Sequence, residues 1–413
     1  MADESKPDET PKQMLDRYLA NLQKTLIAVG YAVAVGCVVF GMSWLSKKTG
    51  VDVQPAVNNT VDVQPTPIQV TNQVLPAPLF GGAQPVAAEQ PVAYTPTFGY
   101  VPPGADEVAA NLDPAKTLQF SNTDAGRVVQ GDPVDTFLWT AVRKAAGKPA
   151  PWFPNVNQGD VGSCVGAGTS HAVTVTIAMQ TVAGQGSFQR ASPEVIYAGS
   201  RVEIGGGRLN GDGSVGAWAA KWLTTYGVVS MEVHGGVDLT TYSASRARSW
   251  GSTGVPADLE AVAKSHPVKS AALVKTWPDV VKAISQGYAI SVCSTQGFSM
   301  TRDRDGFAAP QGTWPHCMAI IGIRGGARPG AFILNSWGDN AHTGPVWPAD
   351  APVAGFWADA AVVARMVGTD PDSFAYSGVE GFKARRVNWF ARTQPRDVLN
   401  LRPAREPLYA VAH

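Results

Sequence analysis

From Thr25 to Ser46 the chain reads TLIAVGYAVAVGCVVFGMSWLS without one charged residue, and no other feature limits its fold so sharply. Wound as a helix at about 1.5 Å per residue, this stretch spans roughly 30 Å, the depth of a bilayer's hydrocarbon core. Trp44 followed by Lys47 and Lys48 suits an interfacial end. A cleaved signal peptide has a shorter apolar core, about 7–15 residues, and a small-residue cleavage site. Ala34-Val35-Gly36-Cys37 has the order of a lipoprotein cleavage box, but apolar residues continue past it. A buried soluble helix is the other alternative. We expect a transmembrane helix over 25–46. Lys12, Arg17 and Lys24 precede it, and after Lys48 no Lys or Arg appears until Lys116. The positive-inside rule therefore leans to a cytoplasmic N-terminus with the bulk of the chain outside the cytoplasm.

Residues 1–24 are polar, with Leu15, Tyr18, Leu19 and Leu22 at helical spacing, and read as a short amphipathic lead-in. Residues 47–115 read as a disordered tether. The stretch 51–115 is rich in proline and duplicates VDVQP at 51–55 and 61–65, so it buries too little apolar surface to offset the entropy of ordering. From 116 to 370 Trp, Val, Ile, Ala and Gly become dense, with alternating runs near Ala289–Ser294 and Met318–Ile323, and this is the expected globular domain. Residues 371–413 form a basic tail carrying Lys383, Arg385, Arg386, Arg392, Arg396, Arg402 and Arg405. It is either solvated or set against anionic lipid or a partner surface, and the sequence names no protein partner.

Charged residues make up 16% of the chain and the formal net charge is zero, so no overall field points to nucleic acid. The cysteines at 37, 164, 293 and 317 show no CxxC pair and no zinc-ligand spacing, so we expect no metal and no cofactor. Cys37 lies in the apolar run, where a thiol acts as a small hydrophobe.

The segment NVNQGDVGSCVGAGTSHAVTVTIAMQ (155–180) carries the most chemistry. A Gly-rich lead-in ends at Cys164, and an apolar run of helical character follows. That places a thiol at a helix N-terminus, where free N–H groups and the macrodipole stabilise a thiolate. Six residues earlier, the amide of Gln158 is available to a developing oxyanion beside the backbone N–H of Cys164. Downstream, His316 opens an apolar strand in WPHCMAIIGI, a rigid place from which an imidazole can face the thiol. Asn335 follows in FILNSWGDN and is suited to hold the ring's tautomer, with Trp337 covering that bond from water.

These three segments, in this order, resemble the papain-type cysteine peptidases over roughly 150–345. The resemblance implies a papain-like two-lobed α+β fold and hydrolysis of peptide bonds in a protein or peptide substrate. It makes Cys164 the nucleophile, His316 the base, Asn335 the orienting amide, Gln158 the oxyanion donor and Trp337 the shielding ring. SPEVIYAGSR (192–201) resembles the family's second helix. In DGSVGAWAAKWLTTYGVV (212–229), Gly213 and Ser214 fall where the family binds substrate backbone, with Val215 a pocket wall beside Trp314 and Pro315. Val165 replaces the family's usual Trp, and Asp160 or Val161 stands where a disulfide cysteine would be. The usual disulfides are therefore absent, as in bacterial and viral members, and the helical inhibitory propeptide is missing.

Cys317 is expected as a core strand or pocket residue, with Cys293 on a neighbouring strand, and whether the two pair as a disulfide stays open. His171, two turns beyond Cys164, reads as structural; His234, His266 and His342 lie in polar stretches without a partner pattern. Two further functions stay open: a non-catalytic binding module on the same fold, and a cysteine amidase acting on cell-wall peptides, whose relatives more often use Cys-His-His or Cys-His-Asp.

Overall fold

The computed structural model of the chain describes residues 96–129, 131–378 and Lys383. The segment expected to span a membrane, the lead-in before it, the tether as far as residue 95 and most of the tail lie outside the described residues. Among the described residues no helix is long and apolar enough to cross a membrane.

Helices dominate the first part. They are α1 (Ala105–Leu112), α2 (Asp124–Arg127), α3 (Trp139–Ala146), α4 (Cys164–Val182), α5 (Pro193–Gly199), α6 (Gly216–Thr225), α7 (Ala244–Thr253) and α8 (Ala257–Lys264). Strands dominate the second: after β1 (Thr136–Phe137) and the small β2 (Val233–His234) and β3 (Val237–Asp238) come β4 (Ala271–Leu273), β5 (Ile290–Arg302), β6 (Ala308–Arg324), β7 (Gly330–Leu334), β8 (Gly355–Asp359) and β9 (Phe374–Tyr376). Helices α9 (Trp277–Ser285) and α10 (Ala360–Thr369) sit among them. Helices gathered before an antiparallel sheet make an α+β fold.

Helix α4 joins the two parts, and its sequence says how. Nearly every residue from Cys164 to Gln180 is buried, as an apolar run without a polar face demands. Two glycines let its neighbours close in. A Cβ on Gly166 would lie 2.5 Å from the Pro193 carbonyl at the start of α5, and one on Gly168 would lie 2.9 Å from the Cys317 carbonyl on β6. The Gly-Ala-Gly after Cys164 is thus a contact surface on both sides.

The main sheet has the order β4-β9-β5-β6-β7-β8, with β1 beside β6. The alternating runs at 289–294 and 318–323 are its two long strands, β5 and β6. Every residue from His316 to Ile323 is buried. The register sets Ser294 opposite His316 and Cys293 opposite Cys317. Cys293 and Cys317 form a disulfide, a pairing the sequence left open. The cause is register: only strand pairing brings residues this far apart in sequence face to face.

The fold also takes in more chain than 116–370 on both sides. Residues 96–115 supply α1 and an extended segment, 96–101, that hydrogen-bonds to the domain. Their prolines (96, 102, 103, 114) bound short ordered pieces rather than forbidding order. Beyond 370, β9 pairs with β4 and β5. Asp372 caps α6, accepting N–H bonds from Gly216 and Ala217 at 2.7 and 2.6 Å. A three-residue strand and a lone capping acid are too short to register as pattern.

Candidate active site

The start of α4 and the middle of β6 meet at one point. Cys164 is fully buried and is the free cysteine of the described residues. The backbones of Cys317 and Gly99 both lie near its sulfur, so the thiol lies against the strand beside His316. His316 Nε2 donates to Asn335 Oδ1 at 2.8 Å, and the Ser336 N–H donates to the same oxygen at 2.7 Å. With the proton on Nε2, the lone pair sits on Nδ1, which makes no hydrogen bond. Trp337 stacks on the imidazole at 4.5 Å between centroids and 28° between planes. The pairing of β6 with β7 (Ala319 opposite Leu334) delivers Asn335 to His316 from the next strand.

Gln158 is fully buried and held at both ends of its amide. Its oxygen accepts from Ser336 Oγ at 2.7 Å, and its Nε2 donates to the Val161 carbonyl at 2.9 Å and the Thr97 carbonyl at 3.2 Å. Because the oxygen end is claimed by Ser336, the donor end is turned to the Val161 and Thr97 carbonyls. Ser336 therefore sets the direction of the amide, a role the sequence reading missed.

The Thr97 contact belongs to a strap. Residues 97–101 lie across the thiol and imidazole as an extended peptide. Tyr100 N donates to the Pro315 carbonyl at 3.0 Å, Val101 N to the Ser214 carbonyl at 2.9 Å, and Ser214 N to the Gly99 carbonyl at 2.9 Å. Trp337 Nε1 donates to the Thr97 carbonyl at 3.0 Å. The Phe98 ring meets His316 and Trp337 edge-on at 6.1 and 5.7 Å. Gly99 fits because it has no side chain: a Cβ there would lie 1.9 Å from the Gly162 carbonyl.

The residues expected to bind substrate divide. The Ser214 backbone pairs with the strap. Gly213, at φ 114°, is held from behind: its N–H donates to Tyr197 Oη at 3.1 Å and its carbonyl accepts from Arg201. Val215 is buried at the start of α6. Arg201 also grips the Gly211 carbonyl at 2.6 Å and the Gly251 carbonyl at 2.8 Å, so it fixes the loop that presents Ser214. His234 and His266 stay local, bonding within four residues of themselves. His342 does not stay local: its Nε2 lies 2.9 Å from Asn335 Nδ2. The sequence showed it no partner because that partner arrives through the fold.

Burial governs the electrostatics. It pushes the Cys164 thiol up to about 12, against the opposing pull of nearby N–H groups. It pushes His316 down to about 4, opposed by the bond to Asn335. With the strap in place the pair is neutral thiol and neutral imidazole. The thiolate expected at the helix N-terminus is thereby corrected, because desolvation outweighs the helix end.

Acid should weaken the fold. Burial lowers His171 and His342 to about 3 as well, with Arg190 adding at His171 and Arg302 at His342. Below pH 6.5 the unfolded chain takes up protons on these histidines that the folded chain refuses, so stability present at neutral pH is lost as pH falls through about 4. Asp372, raised to about 8 by burial, and Glu203, also raised by burial, act in the opposite sense over this range, two groups against three. Urea midpoints should fall between pH 7 and pH 4.5, and fall less in His171→Leu, which lacks one of the three proton acceptors. An equal fall in both proteins would contradict the assignment.

No protein-family model matches the chain, and no curated protein matches it. Among solved structures the chain is similar to xylellain, a cysteine protease from Xylella fastidiosa, at 17% identity and TM-score 0.47 over 68% of this chain and 96% of that one. It is also similar to a procathepsin B from Trypanosoma congolense, at 10% identity and TM-score 0.41 over 68% and 85%. A third is the digestive procathepsin L 3 of Tenebrio molitor, at 12% identity and TM-score 0.39 over 68% and 83%.

Proposed function

We propose that this chain is a papain-like cysteine peptidase that hydrolyses peptide bonds in protein or peptide substrates and is held latent by its own residues 96–101. The observation that carries the reading is the polarity of His316. Its Nε2 is tied to Asn335 while the buried Nδ1 is without a partner and so open to the proton of Cys164. An imidazole fixed in that tautomer presents a proton acceptor at Nδ1.

In the proposed reaction the Cys164 thiol gives its proton to His316 Nδ1, and sulfur attacks the substrate's carbonyl carbon. The oxyanion is received by Gln158 Nε2, once Thr97 has left it, and by the Cys164 backbone N–H. His316 then returns its proton to the leaving amine, and water, deprotonated by the same imidazole, releases the acyl group from sulfur. Asn335 holds the ring throughout, and Trp337 keeps water from their bond. Ser214 offers substrate the backbone pairing it now gives the strap. Residues 25–46 are proposed to anchor the protein, with the catalytic domain outside the cytoplasm.

The test is turnover of a denatured protein by the full chain after limited proteolysis near the strap. Gln158→Ala should lower turnover by roughly 10²–10³-fold with the fold intact. Full activity without the Gln158 amide would remove it from the site. A wild-type protein inert to both substrate and thiol-directed inhibitors would leave the binding-module reading in its place.

A further inference from the structure

Behind His316 and Asn335 lies a second imidazole. Asn335 Nδ2 is 2.9 Å from His342 Nε2, and both residues are buried. An amide nitrogen only donates, so His342 Nε2 is the acceptor and its proton sits on Nδ1, which is buried and makes no hydrogen bond. Three donor–acceptor pairs then run in one direction: Ser336 N–H and His316 Nε2–H to Asn335 Oδ1, and Asn335 Nδ2–H to His342 Nε2.

The ring of His342 is as firmly held as a strand residue, although it lies in a loop. It packs on Phe356 at 4.8 Å. Its carbonyl accepts from Arg302 at 3.2 Å, and the same guanidinium bonds the carbonyls of Gly344, Val353 and Gly355 at 3.0, 2.7 and 2.7 Å. Thr343 pairs with β5 on the other side: Thr343 N donates to the Met300 carbonyl, and Arg302 N to the Thr343 carbonyl, both at 2.9 Å. Arg302 and His316 are the charged or titratable groups that bear on the ring, and burial together with Arg302 keeps it neutral and therefore an acceptor.

We propose that His342 is a positioning residue: by accepting from Asn335 Nδ2 it turns the amide oxygen toward His316 and so holds His316 in the tautomer whose Nδ1 is free for the thiol's proton. This rests on the peptidase reading for its consequence, but the positioning itself is readable without activity. An amide has one donor end and one acceptor end. If the acceptor behind it is lost, the buried Nδ2–H group has no partner, and the flipped amide, donating to His316 Nε2, becomes competitive. Such a flip would move the proton of His316 to Nδ1, where it blocks transfer from Cys164.

The experiment is nitrogen-15 NMR of histidine-labelled full chain, wild type against His342→Phe and His342→Gln. Wild type should show His316 as a single Nε2–H tautomer and His342 as Nδ1–H. Phe, which keeps the packing on Phe356 but accepts nothing, should mix the His316 tautomers; Gln, whose amide oxygen can accept, should restore the single form. An unmixed His316 in His342→Phe, or a wild-type His342 protonated on Nε2, overturns the proposal. In proteolytically opened protein, His342→Phe should cost about 10-fold or more in kcat with KM changed less than about twofold. That cost should vanish when Asn335→Ala is already present, and an undiminished cost would mean that His342 acts by some route other than Asn335. Tautomers as assigned in a protein without turnover would sink the peptidase reading while leaving the positioning in place.

Discussion

Cys164→Ser should leave less than about a thousandth of the turnover. The sulfur is the atom that forms and breaks the acyl bond, so no neighbour can substitute for it. A serine hydroxyl must lose a far less acidic proton than a thiol, and an imidazole is too weak a base to take it without further activation. The substitution changes one atom at a fully buried position. Thermal unfolding should therefore shift little, which separates chemistry from folding. A serine variant keeping more than about a tenth of wild-type turnover would place the nucleophile elsewhere.

The second large effect runs the other way: Gly99→Val should activate the full chain. A Cβ at residue 99 would sit 1.9 Å from the Gly162 carbonyl oxygen and 2.3 Å from its carbon. Both are backbone atoms in the lead-in to α4, so the strap must lift instead. Lifting it breaks the bonds from Tyr100 and Val101, the Ser214 bond to Gly99, and those of Gln158 and Trp337 to Thr97. At about 1 kcal/mol each, such a set holds a closed state by up to roughly 10⁴-fold. Water then reaches Cys164, the desolvation that raises its thiol is relieved, and the Gln158 amide is freed. Alkylation of Cys164 by iodoacetamide should quicken by roughly 10²-fold or more, with turnover rising beside it. A folded Gly99→Val protein whose Cys164 reacts no faster than wild type would show that the strap is not what closes the site.

The membrane-length run, the Pro-rich stretch, the thiol at a helix start and the order of Gln158, Cys164, His316 and Asn335 are all legible in the sequence. Each is carried by local spacing or by residue chemistry: an uncharged run of fixed length, a glycine-rich lead-in, an apolar strand headed by histidine. What tertiary structure alone decided is everything that depends on distant segments meeting. Register across β5 and β6 paired Cys293 with Cys317. The loop tied down by Arg302 brought His342 behind Asn335. Residues 97–101, proline-flanked and reading as tether, found hydrogen-bond partners at Ser214 and Pro315 that no local pattern contains. That last contact reversed the protonation expected of Cys164, because a helix N-terminus favours a thiolate only while water can still reach the sulfur, and here a peptide covers it.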